Sequence, residues 1–360
     1  MPTPSMQTNF VSRTGTSLTL GGQPYRFTGV NAYEAATDWG VNAGCGQMLS
    51  DQDLTNLFGS NLRSGQVVRF WAFQALATNY ATKQRDWTGI DRVINAAALH
   101  GVKVIPALSA QTGDCDDNHW KDVSWYTGGY MNVYNDLSRW PASTPESFWQ
   151  YMHEFLSRYD FNPAIAMIEL VSEPNPTDPG FVCINESQAA TALRSFFDIV
   201  GAEAKKVDPN HLIESGQQGV GQACGQQDQG CTSWSWTSCT AHDYEYVDQS
   251  SGVDVTSYHD YGADTTPVPY YLGETIRQAT ADDKPVIVGE MGIKAQVSLS
   301  GCMTLIDRAS NINAKISGQF AGGVSGVAIW DFVSSNPGTD CVFEDIVPGD
   351  PVFPMLQQYG

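Results

Sequence analysis

The chain has 360 residues, of which 42% are hydrophobic and 11% aromatic, enough for a large core, while charged residues make up only 16% and 34 glycines indicate an ordered, loop-rich globule. Nineteen lysines and arginines against 39 acids give a net charge of −20, which repels phosphate backbones and anionic lipid and argues against nucleic-acid or membrane partners. No apolar run approaches the roughly 18 residues of a membrane span, so the expectation is a soluble monomer.

The opening segment Phe10 to Leu20, with Gly21-Gly22 as its turn, reads as an N-terminal hairpin over 10–22. Eight strand candidates follow in order: Tyr25 to Asn31, Gln66 to Trp71, Val102 to Leu108, Ala164 to Val171, His211 to Ser215, Val253 to Tyr258, Pro285 to Glu290 and Gly326 to Trp330. Several are apolar at consecutive positions, as in Val104-Ile105 and Ala166-Met167-Ile168, which is how parallel strands covered on both faces read. Between them lie helix candidates: Gly89 to His100, with Ile90, Val93, Ile94 and Ala97 on one face and Gly101 as its stop, then Phe148 to Tyr159 and Ala190 to Lys206. Length alone allows two domains, but no repeat or Pro/Ser-rich linker divides the chain. Eight alternations of strand and helix predict an α/β fold, a single (β/α)8 barrel over about 25–332 with a C-terminal segment 333–360.

Eight cysteines stand at Cys45, Cys115, Cys183, Cys224, Cys231, Cys239, Cys302 and Cys341, with no CxxC pair and no histidine at zinc-ligand spacing. Disulfides in an oxidising compartment are the better reading. Met1-Pro2-Thr3-Pro4-Ser5 has neither a basic nor an apolar signal region, so the expectation is an extracellular protein whose leader has been removed. All eight cysteines fall in segments that follow a strand, the catalytic face of such a barrel. Cys302 with Cys341 is the first expected bridge, because both follow adjacent strands, and Cys45 with Cys115 the second.

Two glutamates at strand ends carry the chemistry: Glu173 in Ser172-Glu173-Pro174 after the fourth strand, and Glu290 in Val288-Gly289-Glu290 on the seventh. Glycoside hydrolysis needs such a pair, one carboxyl protonated to donate to the leaving oxygen and one ionised to attack or to activate water. Either motif alone is common at strand ends and weak. Other constellations fail: Asp114, Asp116 and Asn118 start a calcium-like loop, but His119 replaces its glycine and Trp125 its bidentate glutamate, so no metal is expected. GxSxG, Walker and GxGxxG motifs are missing as well, and no cofactor is expected.

The conjunction of motifs is more specific. Val67-Val68-Arg69-Phe70-Trp71, Asn162-Pro163 leading to Ser172-Glu173-Pro174, Asp208-Pro209-Asn210-His211, His259-Asp260-Tyr261, Gly289-Glu290 and Ile329-Trp330 occur in the order of glycoside hydrolase family 5, the retaining family of endoglucanases and endo-β-mannanases. The chain resembles this family over roughly residues 10 to 332. The resemblance implies Glu173 as acid/base and Glu290 as nucleophile at about 5 Å, with a glycosyl-enzyme intermediate. It implies Arg69 beside the nucleophile, Tyr261 orienting it, His259 bordering the first sugar site and Trp330 as an apolar floor under the reacting sugar, with Asn31 and Trp71 in support. Ser172 departs from the pattern: the family has asparagine there, holding the sugar 2-hydroxyl, and His259 or Gln217 are the neighbours that would take over. The loop Leu108-Ser109-Ala110-Gln111 also lacks the Asn-Asn-Trp of fungal and plant mannanases. Trp71, Trp120, Trp125, Trp234 and Trp236 lie in expected top loops, where an aromatic face suits sugar C–H groups or a loop core equally well.

The function expected from this resemblance is a secreted retaining endo-β-glycosidase acting on β-1,4-mannan or β-1,4-glucan. The alternatives are an exo-acting β-glycosidase and a weak or inactive carbohydrate-binding barrel, the latter motivated by Ser172.

Overall fold

A computed structural model describes residues 9–134, 145–176, 186–219, 246–262, 265–298, 301–335 and 344–359. Eight parallel strands form one sheet: Phe27–Asn31, Val67–Trp71, Lys103–Ala107, Met167–Glu169, Leu212–Glu214, Thr256–Asp260, Val286–Met291 and Gly326–Ile329. Numbered as barrel strands one to eight, they lie in the order 5-4-3-2-1-8-7-6. A parallel bridge from Glu214 to Val255 joins the two ends, so the sheet closes into the (β/α)8 barrel expected from the alternation.

Each expected strand is present, though several are shorter. The fourth contracts to three residues and the sixth starts at Thr256, because residues at a strand's start pair only where a neighbour is in register. The helix Thr88–His100 buries Ile90, Val93, Ile94 and Ala97 and ends at Gly101, whose φ of 69° is the left-handed conformation that stops a helix. Phe148–Tyr159 starts from a capping box between Ser147 and Gln150, and it buries Phe148, Tyr151, Met152, Phe155, Leu156 and Tyr159. The third expected helix begins earlier, at Glu186, and is divided by a wider turn at Phe197–Gly201 before Ala202–Val207.

The N-terminal segment departs from expectation in one detail. Val11–Thr14 and Ser17–Leu20 pair antiparallel, so their turn is at Gly15-Thr16, while Gly21-Gly22 turns the chain again into a third short strand, Gln23–Pro24. Gly15, Gly21 and Gly22 all have positive φ, at 59°, 60° and 76°, so both turns use the left-handed conformation that glycine adopts freely. Val11 and Leu18 then pack with Phe27, Val67, Ile105, Met167, Val255 and Ile287, so the hairpin plugs the bottom of the barrel. The C-terminal helix Val352–Leu356 is fixed there too, since the Leu356 carbonyl accepts from Thr28 Oγ1 and Gln66 Nε2, both at 3.0 Å.

Cys45 and Cys115 form a disulfide with their Cα atoms 5.5 Å apart, tying the loop after strand one to the loop after strand three. Cys302 is disulfide-bonded as well. Its expected partner Cys341, together with Cys183, Cys224, Cys231 and Cys239, lies outside the described residues. No described helix is long and apolar enough to cross a membrane.

Candidate active site

Strand two sends Arg69 into the barrel at its top, where the guanidinium is buried and organises the site. Nε and Nη2 donate to the two oxygens of Glu169 at 2.5 and 2.7 Å, a two-point clasp that matches the planar fork to a carboxylate. Nη1 donates to Glu290 Oε1 at 2.7 Å and to Asn31 Oδ1 at 2.8 Å, and Nη2 also donates to Ser172 Oγ at 2.7 Å. Burial alone would weaken this charge, but Glu169 and Glu290 reverse that effect and hold the Arg69 proton more tightly than usual.

Glu290 sits at the end of strand seven, where its other oxygen accepts the Tyr261 hydroxyl at 2.6 Å. Gly289 before it leaves room for the imidazole: a Cβ there would stand 3.0 Å from His259 Nε2 and press on the ring. Across the cleft, Glu173 has a φ of 53°, an uncommon left-handed conformation for a side-chain-bearing residue. Its backbone is fixed from both sides, with Ser172 N donating to Ser109 O, Gln111 N to Ser172 O and Glu173 N to Gly216 O. The loops after strands three and five thus hold the carboxyl in place despite local strain.

His259 bridges the two carboxylates. Its Nδ1 lies 2.7 Å from Glu173 Oε1 and 3.4 Å from Glu290 Oε2. One oxygen of each glutamate and the His259 nitrogen all fall within 4.8 Å of one another. Burial would lower the His259 basicity, but Glu290 and Glu173 outweigh it and raise it above the ordinary value. For Glu173, burial pushes the carboxyl up, yet the hydrogen bond and charge of His259, a hydrogen bond from Gln218 and the Arg69 charge leave it below the usual range. The His259 contact thus favours the ionised form of Glu173, whereas the acid role expected of this residue needs the proton on its carboxyl. Burial and the Glu290 charge raise Tyr261 far above a free phenol, so its hydroxyl acts as a donor.

The remaining expected residues divide. Trp330 lies half-buried at the top of strand eight, with Tyr33 stacked on it at 5.4 Å and Trp71 at 6.5 Å between ring centres, so Trp330, Tyr33 and Trp71 make one aromatic wall. Tyr33 is not singled out by any sequence motif. Asn31 supports from below, its amide donating to the carbonyls of Gly289 and Ile329 at 3.0 and 3.4 Å. Trp125 is fully buried among Tyr126, Tyr130, Phe148 and Phe196, so it is a loop core and no sugar platform. Gln217 is fully buried and its amide donates to Asp248 at 2.7 Å, which directs it away from a compensating role beside Ser172. Trp234 and Trp236 fall outside the described residues.

Two further carboxyls belong to the network and were not marked by any strand-end motif. Glu169 and Glu214 face each other in register on strands four and five, both buried and hydrogen-bonded to each other. The sequence signal was a charged residue inside an apolar strand, Ile168-Glu169-Leu170 and Ile213-Glu214, which is uncommon unless the charge is paired.

Comparison with known proteins gives a consistent picture. The family described as cellulase, glycosyl hydrolase family 5, matches residues 20–315. The chain is 26% identical over 321 residues, 79% of its length and 73% of the relative's, to a "Probable mannan endo-1,4-beta-mannosidase C" of Aspergillus terreus. It is 25% identical over 275 residues, 70% of its length and 59% of the relative's, to "Mannan endo-1,4-beta-mannosidase 5" of Arabidopsis thaliana. Of several other such relatives the chain spans 53–66% of the length. Among solved structures, the endo-1,4-beta-mannanase from Rhizomucor miehei superposes with a TM-score of 0.64 at 19% identity, covering 96% of this chain and 97% of that one, a likeness of fold.

Proposed function

The chain belongs to the cellulase family, glycosyl hydrolase family 5, and from that premise we propose that it is an extracellular, monomeric, retaining endo-β-1,4-mannanase with Glu290 as nucleophile and Glu173 as acid/base. The observation that carries this reading is the Glu173–Glu290 approach within 4.8 Å. Retaining enzymes hold their carboxyl groups at about 5–5.5 Å, whereas inverting enzymes leave about 6.5–9.5 Å for a water. Arg69 and Tyr261 keep one Glu290 oxygen each in a fixed, hydrogen-bonded position, which orients the carboxylate for attack on the anomeric carbon. Glu173 is more open, with about a third of its side chain exposed. A bound sugar covers that third and strengthens the desolvation that favours the neutral carboxyl, so the proton shared with His259 moves to Glu173 as the leaving oxygen arrives.

In the first half-reaction Glu290 attacks, the C–O bond to the leaving sugar breaks, and the proton on Glu173 passes to the departing oxygen. In the second, Glu173 takes a proton from water, whose oxygen displaces Glu290 and restores the starting state. Neither step calls for a cofactor. The wall of Trp330, Tyr33 and Trp71 offers an apolar surface to the sugar. Mannan is favoured over glucan by the activity named for its relatives. Disulfides at Cys45–Cys115 and at Cys302 support an oxidising, extracellular setting. Reducing-end release from mannan, glucomannan and β-glucan, with proton NMR of the first product, tests the reading. Fast release from mannan with an initial β anomer supports it; an initial α anomer removes Glu290 as nucleophile, and no release from any β-glycan favours a binding barrel.

A further inference from the structure

Beside the two strand-end carboxyls lies a second pair, Glu169 and Glu214, both buried in the barrel. We propose that Glu214 is a positioning residue which holds a proton between itself and Glu169, so that Glu169 stays a full carboxylate against Arg69 and Arg69 in turn fixes Glu290. The proposal rests on the reading of Glu290 as nucleophile.

Two buried carboxyls side by side, with a single cation on one of them, favour a proton held between them. Glu169 and Glu214 are fully buried, adjacent in register and hydrogen-bonded to each other. Two carboxylates offer acceptors only, so a hydrogen bond between them needs one hydrogen. Both Glu169 oxygens accept from Arg69, at 2.5 and 2.7 Å, which favours the ionised form on that side. Glu214 meets no such fork. Its Oε2 accepts the Gly216 N–H at 2.7 Å, leaving Oε1 to carry the hydrogen toward Glu169. The groups facing Glu214 are Glu169 from strand four, Arg69 reaching across from strand two and the Gly216 backbone, with His259 of strand six acting on Glu169. Burial, then the charge and hydrogen bond of Glu169, push the Glu214 carboxyl far above its ordinary range, while the same Arg69 brings Glu169 down to about 2.

The local backbone fits this arrangement. Gly216 has a φ of 65°, and a Cβ there would stand 2.3 Å from Val171 O and 3.1 Å from Glu169 Cγ. Only glycine lets the turn after Glu214 fold back far enough to present its N–H. The charge count explains the purpose. With Glu214 neutral, Arg69 faces Glu169 and Glu290, one shared cation between two carboxylates. Ionised Glu214 would add a third buried negative charge and pull the guanidinium toward strands four and five, away from Glu290.

The test compares Glu214→Gln, Glu214→Leu and Glu290→Gln in the full chain on mannan. Glutamine keeps both contacts, donating to Glu169 and accepting from Gly216, without a titratable proton. Glu214→Gln should keep kcat within about threefold of the native enzyme, and Glu214→Leu should lose at least about tenfold in kcat with a smaller change in KM. The infrared difference spectrum between native protein and Glu214→Gln at neutral pH should contain the carbonyl band of a protonated carboxyl. Native-like kcat in Glu214→Leu, equal damage in the glutamine and leucine variants, or absence of the protonated band would each overturn the proposal. If Glu214→Leu fails to fold, the glutamine variant and the infrared band still decide. Full activity in Glu290→Gln would instead overturn the nucleophile assignment, whatever the Glu214 variants do.

Discussion

The two sides of the cleft are built to opposite specifications. Glu290 stands within strand seven, just past a register shift after Val288, has 8% of its side chain exposed, and receives Arg69 and Tyr261 on separate oxygens. Glu173 follows its strand in a left-handed conformation, has 34% exposed, and accepts hydrogen bonds from His259 and Gln218. On the proposed roles, the first arrangement fixes the attacking oxygen, and the second leaves a proton free to move between His259 and Glu173. A nucleophile gains from rigidity because misplacement of the attacking atom raises the barrier directly, whereas an acid that later acts as base must alternate between two protonation states.

Removing the carboxyl held by Arg69 and Tyr261 should have the largest effect. Glu290→Gln is expected to lower kcat by more than about 10⁴-fold with an unchanged melting temperature, since no neighbour can form the covalent intermediate. Steady-state kinetics with a parallel thermal scan check this. On the other side, Glu173→Ala should cost about 10²–10⁴-fold on mannan but far less in the first step with a dinitrophenyl glycoside, whose leaving group needs no proton. Equal losses on both substrates would erase the distinction between the two sides. Tyr261→Phe removes one tether from Glu290 and should reduce kcat by about 10–100-fold with KM held, the value of a hydrogen bond to a charged group. Steady-state rates on mannan read this directly.

The smallest expected effect concerns stability against pH. Burial and neighbouring acids raise Asp331 to about 8, while Asp116, Asp248 and Glu34 stand at about 7, burial again the leading cause. A carboxyl raised in the folded state stabilises fully below its unfolded value of about 4, and that contribution is lost as pH rises through 7–8. Glu169, lowered to about 2 by Arg69, works the other way and loses its contribution as pH falls from about 4 toward 2. The melting temperature should therefore peak in mild acid, near pH 4–5, and fall on both sides. Scanning calorimetry from pH 3 to 9 gives the answer, and a maximum above pH 7 would contradict these shifts.

The strands and the two strand-end carboxyls were legible because parallel barrel strands are apolar runs and their C-terminal ends are where polar residues re-enter the sequence. Glu173, Glu290, Arg69, His259 and Tyr261 all stand at that transition. Glu169 and Glu214 end the short strands four and five next to apolar neighbours, where strand periodicity assigns a side chain to a face without naming its partner. Trp125 shows the converse limit. An aromatic in a long loop reads the same whether it faces solvent or other rings, and only its packing against Phe148 and Phe196 decides. Ser172 was legible as a substitution, but its tie to Arg69 was not, because the hydroxyl's direction depends on strand two.

The bottom of the barrel bears on the top through a short lever. Thr28 on strand one and Gln66 just ahead of strand two, which donate to Leu356, stand three residues before Asn31 and Arg69. Trimming the chain ahead of Val352 would strand two buried donors and free the strands to slide, tilting the guanidinium beside Glu290 from a distance of several residues. The far end of the chain is thus a clamp on the alignment of the cleft, and shortening it should lower turnover before it lowers binding.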